Sequence, residues 1–196
     1  MKTEYEAKFI NIDINDIREK LQAQGAVLEV PMRLMRRVII ETDELKKRGG
    51  FVRVRDEGHR VTVTYKQFDA LSVDGAKEHE VIVSDFDEVI ALLAAAGLHY
   101  NSFQESMRET WRCGDAEVVI DEWPWLNPYI EVEAGSEAEV KDCAEKLGFK
   151  WDEAVFGDVM SAYQVQYPHL SPTDTVGNIA EVRFGDPLPE LLKKSS

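Results

Sequence analysis

Charged and apolar residues alternate one by one in most of the β-prone runs of this chain, and apolar residues recur every three or four positions in the stretches between them. Successive strand side chains point to opposite faces, so a strict alternation separates two chemistries across a sheet. In Glu4-Tyr5-Glu6-Ala7-Lys8, the residues Glu4, Glu6 and Lys8 share one face, while Tyr5 and Ala7 share the other. Phe51–Arg55 and Arg60–Lys66, joined by the turn Asp56–His59, read as a hairpin. Its polar side carries Arg53, Arg55, Thr62, Thr64 and Lys66. Further strands are expected over Leu34–Glu41, Lys77–Val83 (Glu78 and Glu80 in phase), Phe103–Cys113 (Gln104, Ser106, Arg108, Thr110, Arg112), Ala116–Glu122 (Glu117, Val119, Asp121) and Tyr129–Glu133 (Glu131, Glu133). Arg36 and Arg37 are adjacent, so at most one of them looks into any interior.

Three helices fall between these strands. One spans Asp13–Gln24, capped by Asp13 and stopped at Gly25; one starts at Ser84 and runs to Ala96 with Phe86, Val89, Leu92 and Leu93 inward; one starts at the capping box Ser136/Glu139 and ends near Gly148. Asp43–Gly50 reads as an exposed charged loop, and Gln67–Ala76 as a mobile loop at a cleft rim. Trp123–Pro128 reads as a turn clamped by two indoles, because proline cannot donate to a central ladder. Phe156, Val159 and Tyr163 are closing core residues of an amphipathic or irregular segment. Residues 168–196, with four prolines, read as an extended tail packed outside residues 1–167, with Val182-Arg183-Phe184 a short strand and Lys193–Ser196 frayed. A strand with paired carboxylates, then a helix, then glycine, occurs from Glu4 to Gly25 and again from Glu78 to Gly97. That echo points to two similar halves facing one another in a closed or nearly closed antiparallel barrel, an α+β architecture.

Composition narrows the choice. At 196 residues the chain can bury a core, and its two cysteines, Cys113 and Cys143, lack metal-ligand spacing and read as reduced thiols. No apolar run reaches the roughly 18 residues of a membrane helix, and no signal-peptide pattern opens the chain, so the expected location is cytoplasmic. The formal charge of −14 speaks against nucleic acid as a partner. An acidic protein still binds a small polyanion if its basic groups converge in a cavity. Charged strand faces are ordinarily solvated. Two features favour an interior instead: like signs repeat within each strand, which is unfavourable on an open surface, and the helices can cover the apolar side. In such an interior, Arg and Lys would grip phosphates and carboxylates would hold Mg²⁺ or Mn²⁺. No P-loop, Rossmann, nucleophile-elbow or zinc pattern is present, and the four histidines read as surface or turn residues. Paired carboxylates would also suit glycoside hydrolysis, but the interleaved basic residues favour an anionic substrate.

Taken together, Glu4-x-Glu6-x-Lys8, Arg53-Val54-Arg55, Lys66, Glu78/Glu80, Arg108, Asp121 and Tyr129-Ile130-Glu131-Val132-Glu133 resemble the CYTH superfamily, or triphosphate tunnel metalloenzymes, over residues 2–165. That family includes class IV adenylyl cyclases, thiamine triphosphatases and inorganic triphosphatases. The resemblance implies an eight-stranded antiparallel β-barrel with helices outside, holding a triphosphate end-on. It implies Glu6, Glu131 and Glu133 as ligands of a principal metal, with Glu4 serving a second. Arg53, Arg55, Lys66 and Arg108 would grip phosphates, with Lys8 near the reacting phosphoryl group. Glu78 and Glu80 would play supporting parts and Asp121 would orient a basic residue. The family's lysine before a Ser-Tyr pair is missing from Asp158–Tyr163, so phosphate binding would be weaker or differently oriented, or Arg36 or Arg37 would substitute. Trp123 and Trp125 are more simply turn packing than a base-stacking platform.

Three functions follow: a metal-dependent triphosphate hydrolase using two Mg²⁺ or Mn²⁺ ions, with Lys8, Glu4 and Asp121 nearest the chemistry; an adenylyl cyclase making cyclic AMP and pyrophosphate; and a non-catalytic polyphosphate- or nucleotide-binding module. A homodimer is open as a partner arrangement.

Overall fold

A computed structural model describes residues 1–194; the expected fraying at Ser195 and Ser196 lies outside the described residues. The strands are β1 (Lys2–Ile10), β2 (Val27–Ile40), β3 (Gly50–Asp56), β4 (Val61–Phe68), β5 (Ala76–Val83), β6 (Ser102–Cys113), β7 (Ala116–Trp123), β8 (Leu126–Ala134) and β9 (Glu181–Val182). The helices are α1 (Ile14–Ala23), α2 (Asp43–Lys47), α3 (Phe86–Ala95), α4 (Glu137–Lys146) and α5 (Val159–Gln166). Strands β1–β8 lie in the order β2-β3-β4-β5-β1-β8-β7-β6, and pairing of β2 with β6 closes them into an eight-stranded antiparallel barrel. Exchanging β1–β4 with β5–β8 maps every pairing onto another, so the two halves suggested by the Glu4 and Glu78 echoes are related by topology.

Apolar faces of β1, β7 and β8 point outward and are covered by α1 and α4, where Ala7, Phe9, Ile120 and Ile130 meet Ile17, Leu21, Val140 and Leu147. Phe86 of α3 covers Val38 and Val54 in the same way. A further cluster plugs one barrel end, where Ile39, Trp123 and Tyr129 meet Val159, Met160 and Tyr163 of α5 and Ile179, Val182 and Leu192 of the tail. The tail's strand β9 pairs in parallel with the stretch of β6 that β7 is too short to reach (Phe103↔Glu181, Gln104↔Val182). Beyond Glu4, β5 leaves the edge of β1, and two loops replace it: Glu6 donates its N–H to Val73 O (2.9 Å), and Lys8 exchanges backbone hydrogen bonds with Val155.

Several expectations need correction. Asp43–Lys47 is a short helix rather than a loop, because Thr42 Oγ1 caps Leu45 N–H, with acids in its first turn and lysines in its last. The cap of α3 is Asp85, not Ser84, and Leu92 is 66% exposed. The 67–76 loop is anchored, with Val73 buried. The strand expected from Leu34 starts at Val27, where it pairs with β6 through two register shifts. Pro128 lies inside β8; it sits at the register irregularity between β7 and β8, where no donor is required of it.

Candidate active site

Directly opposed residues of an antiparallel ladder share a face. Lys8↔Glu131, Glu6↔Glu133, Lys66↔Glu78, Thr64↔Glu80 and Arg37↔Arg55 are such pairs, and their side chains enter the barrel together. The result is a cavity of about 180 Å³. Its charges are segregated. Neighbouring strands β5, β1 and β8 supply Glu78, Glu80, Glu4, Glu6, Glu131 and Glu133, whereas β6, β2 and β3, diametrically across the closed ring, supply Arg108, Arg37, Arg53 and Arg55. Lys8 and Lys66 lie against the acidic wall.

These lysines are the wall's internal counterions. Lys66 Nζ is 2.7 Å from Glu4 and 3.2 Å from Glu6; Lys8 Nζ is 3.3 Å from Glu6, 3.0 Å from Glu131, and donates to Gly157 O at 2.6 Å. Burial would push Glu131 up, but the Lys8, Arg108 and Lys66 charges outweigh it and hold the carboxyl well below its usual range. Burial likewise works against the Lys8 ammonium, and Glu131 and Glu6 more than restore it. Glu78 and Glu133 lie outside this lysine pairing; among the described residues Glu133 ion-pairs only with the exposed Lys2, at 3.5 Å. Burial, then the neighbouring Glu4 charge, pushes both Glu78 and Glu133 up to about 7; for Glu133 the Glu131 charge adds to this.

The basic wall has the opposite imbalance. Asp121 is fully buried and chelates Arg108 through Nε (2.7 Å) and Nη2 (2.6 Å), so it orients that guanidinium without lining the cavity itself. Arg53 and Arg55 each lie 3.8 Å from Glu80. Arg37 has no carboxylate partner among the described residues: it hydrogen-bonds Ser106 Oγ and stacks over the Trp123 ring at 4.5 Å. Burial, reinforced by the Arg55, Arg53 and Arg108 charges, drops its proton affinity well below that of an ordinary arginine. The Nε atoms of Arg37, Arg53 and Arg55 are all buried without a partner among the described residues. Arg36 points outside, bound to Asp56 at 3.0 Å and lying over Phe86, and so stands apart from the cavity group.

Alternation along single strands reveals most of this constellation but leaves several members unassigned, Arg60 among them. Trp123 packs as expected, yet what it packs against is Arg37 rather than only its own turn. Asp158, beside α5, lines the plugged end, which closes through long-range packing that no local pattern signals, and Tyr129, in phase with Glu131 and Glu133, lines it too. Glu57 is buried beside Arg55, although its signal was present: it continues the Arg53, Arg55 phase one step past β3, under an Asp-Glu-Gly turn.

Comparison with known proteins agrees with this architecture. Residues 2–154 match the CYTH domain, and the chain belongs to that family. Among solved structures, the PH1012 protein of Pyrococcus horikoshii OT3 superposes with a TM-score of 0.69 at 19% identity, covering 81% of this chain and 98% of its own. A Vibrio parahaemolyticus protein described as an adenylate cyclase candidate gives 0.71 at 10% identity, with 82% and 97% covered. The Hippeastrum protein HpAC1, described as having a dominant triphosphatase activity, gives 0.57 at 17%, with 87% and 99% covered. At these identities the likeness is one of fold. No curated protein matches.

Proposed function

We propose that this protein is a divalent-metal-dependent triphosphate hydrolase that holds its substrate between the two walls of the barrel. The observation that carries the reading is Arg37: a buried guanidinium flanked by Arg53, Arg55 and Arg108 that, among the described residues, has neither a carboxylate in an ion pair nor a partner for its Nε. A buried charge is costly unless paired. An anion with several oxygens, each able to accept two donors, satisfies this wall where a single carboxylate would not.

The acidic wall fits Mg²⁺ or Mn²⁺ in chemistry. Its donors are hard carboxylate oxygens, and the two acids pushed up to about 7 mark the excess negative charge that a cation relieves. Among the described residues no three acidic, His or Cys side chains already stand in a metal-holding arrangement, because Lys8 and Lys66 sit among the carboxylates. Binding therefore requires carboxylates to turn away from these lysines. Glu6, Glu131 and Glu133 would hold a first ion and Glu4 a second. When bound, the ions supply Lewis-acid polarisation of phosphate oxygens and a lowered water pKa.

The chain's own residues do the rest. Arg37, Arg53, Arg55 and Arg108 bind phosphate oxygens and stabilise charge on the transferring group. Lys8, released from Glu6 and Glu131, faces the scissile phosphoryl group, and Asp121 keeps Arg108 in its orientation. The volume supports a compact substrate. Pockets that enclose drug-sized ligands run roughly 300–1,000 Å³, and 180 Å³ lies below that range, which favours a small polyanion.

The test is a product assay with inorganic triphosphate, thiamine triphosphate and ATP, with and without Mg²⁺ or Mn²⁺. Orthophosphate release supports hydrolysis. Cyclic AMP plus pyrophosphate from ATP supports a cyclase, and tight binding without product supports a binding module.

A further inference from the structure

We infer that Glu57 is a positioning residue that fixes the guanidinium of Arg55 for phosphate binding and draws Arg60 and Arg33 to the same mouth of the barrel. The inference rests on the function proposed above.

Glu57 follows β3 directly and is only 2% exposed, although it belongs to a hairpin turn. The turn itself is tightly determined. Glu57 N–H donates to Arg60 O (2.9 Å), Gly58 N–H to Asp56 Oδ1 (2.8 Å), and Gly58 adopts φ +85, a conformation that favours glycine. With the backbone held, the Glu57 side chain keeps the inward phase of Arg53 and Arg55. Its Oε1 lies 2.5 Å from Arg55 Nη2, and its Oε2 accepts from Arg60 Nε at 3.0 Å. Arg33 approaches at 3.6 Å and donates through Nε to the Glu57 carbonyl at 3.2 Å. One carboxylate thus gathers guanidinium groups from β2, β3 and the residue preceding β4. Burial would raise this acid, but Arg55 and Arg60 outweigh it and hold it at about 2, so it is ionised throughout the neutral range.

Arg55 and Arg60 also line the central cavity. Glu57 engages Arg55 Nη2, while Arg55 Nε is buried and has no partner among the described residues. Free rotation of Arg55 would have to be arrested on binding, and an oriented guanidinium spares that entropy.

The experiment is titration of inorganic triphosphate into wild type, Glu57→Gln, Glu57→Asp, Arg55→Ala and Glu57→Gln/Arg55→Ala, in the presence of Mg²⁺, with a circular-dichroism melt of each. Charge alone predicts that Glu57→Gln tightens anion binding, since it removes a negative group at the mouth. Positioning predicts the opposite sign: weakening by roughly 10- to 100-fold, the scale of one charge-assisted hydrogen bond. The double variant should then lose less than the sum of the two single losses, because Glu57 acts mainly through Arg55. Glu57→Asp, which keeps the charge but shortens the reach, should also weaken binding and serves where the glutamine variant does not fold. Unchanged or tighter binding by Glu57→Gln, or additive losses in the double variant, overturns the inference. A second readout is independent of substrate: the Arg55 Nε–H NMR signal should be sharp in wild type and broadened in Glu57→Gln, and an unchanged signal also overturns it. If wild type binds no triphosphate, the proposed function falls, while the Arg55 signal still decides whether Glu57 holds that guanidinium.

Discussion

Replacing Arg37 with methionine should separate binding from stability. In most interiors, removing one member of a buried ion pair costs about 3–5 kcal/mol, because the other charge is stranded. Arg37 strands nothing, as it forms no ion pair with a carboxylate among the described residues; its removal forfeits the contact with Ser106 and the stacking on Trp123. Those are worth about 1.5–3 kcal/mol for a charged hydrogen bond and up to about 2 kcal/mol for a desolvated cation–π contact. Against them stands the penalty of a lone buried charge, several kcal/mol in practice, together with repulsion from Arg53, Arg55 and Arg108. The terms nearly cancel, and the ligand-free Arg37→Met protein should lie within about 1 kcal/mol of wild type or above it. Arg108→Met is the contrast. It leaves the fully buried Asp121 carboxylate alone and should cost about 3–5 kcal/mol. At roughly 2–4 °C per kcal/mol for a chain of this size, that is a Tm drop of about 6–20 °C, against a few degrees or less for Arg37→Met. Both variants should weaken triphosphate binding. The assay is urea and thermal unfolding without ligand, followed by triphosphate titration. Equal destabilisation by the two substitutions would refute the reading of Arg37 as an uncompensated anion-binding group.

Other outcomes follow from the same geometry. Because Glu57 is lowered from an ordinary 4.5 to about 2 in the folded state, its stabilisation is complete above pH 4.5 and lost as pH falls toward 2. Acid-unfolding curves of wild type and Glu57→Gln should therefore differ above pH 4.5 and converge toward pH 2. Mg²⁺ should raise the wild-type Tm by binding only the folded chain, and Glu131→Gln with Glu133→Gln should abolish that rise while leaving a folded barrel. Leu192, 1% exposed and outside the CYTH match, packs on the plug. Leu192→Ala should cost roughly 2–5 kcal/mol within a single unfolding transition if the tail folds with the barrel; a separate early transition would make it an independent appendage.

What could be read from sequence was whatever a single strand encodes. The phase of Glu4, Glu6 and Lys8, of Arg53 and Arg55, and of Glu131 and Glu133 follows from alternation, and the barrel keeps it. The choice between Arg36 and Arg37 needs a neighbour: Arg37 turns inward because it pairs with Arg55 and Gln104, which fixes its face. The separation into an acidic and a basic wall is invisible along the chain, since it arises from the order in which distant strands meet. Glu57 was hidden by its turn, and Asp158 by a plug built from tertiary contacts. The 43–47 helix was obscured by its charges, which serve its two ends rather than mark it as loop.

The most direct measurement is phosphate release from inorganic triphosphate with Mg²⁺ or Mn²⁺, by wild type beside Arg37→Met and Glu131→Gln. Metal-dependent turnover by wild type, lost in both variants while both remain folded, is the expected result. Absence of both turnover and triphosphate binding in the folded wild-type protein, across both metals, would contradict a cavity built to hold a triphosphate between opposed walls.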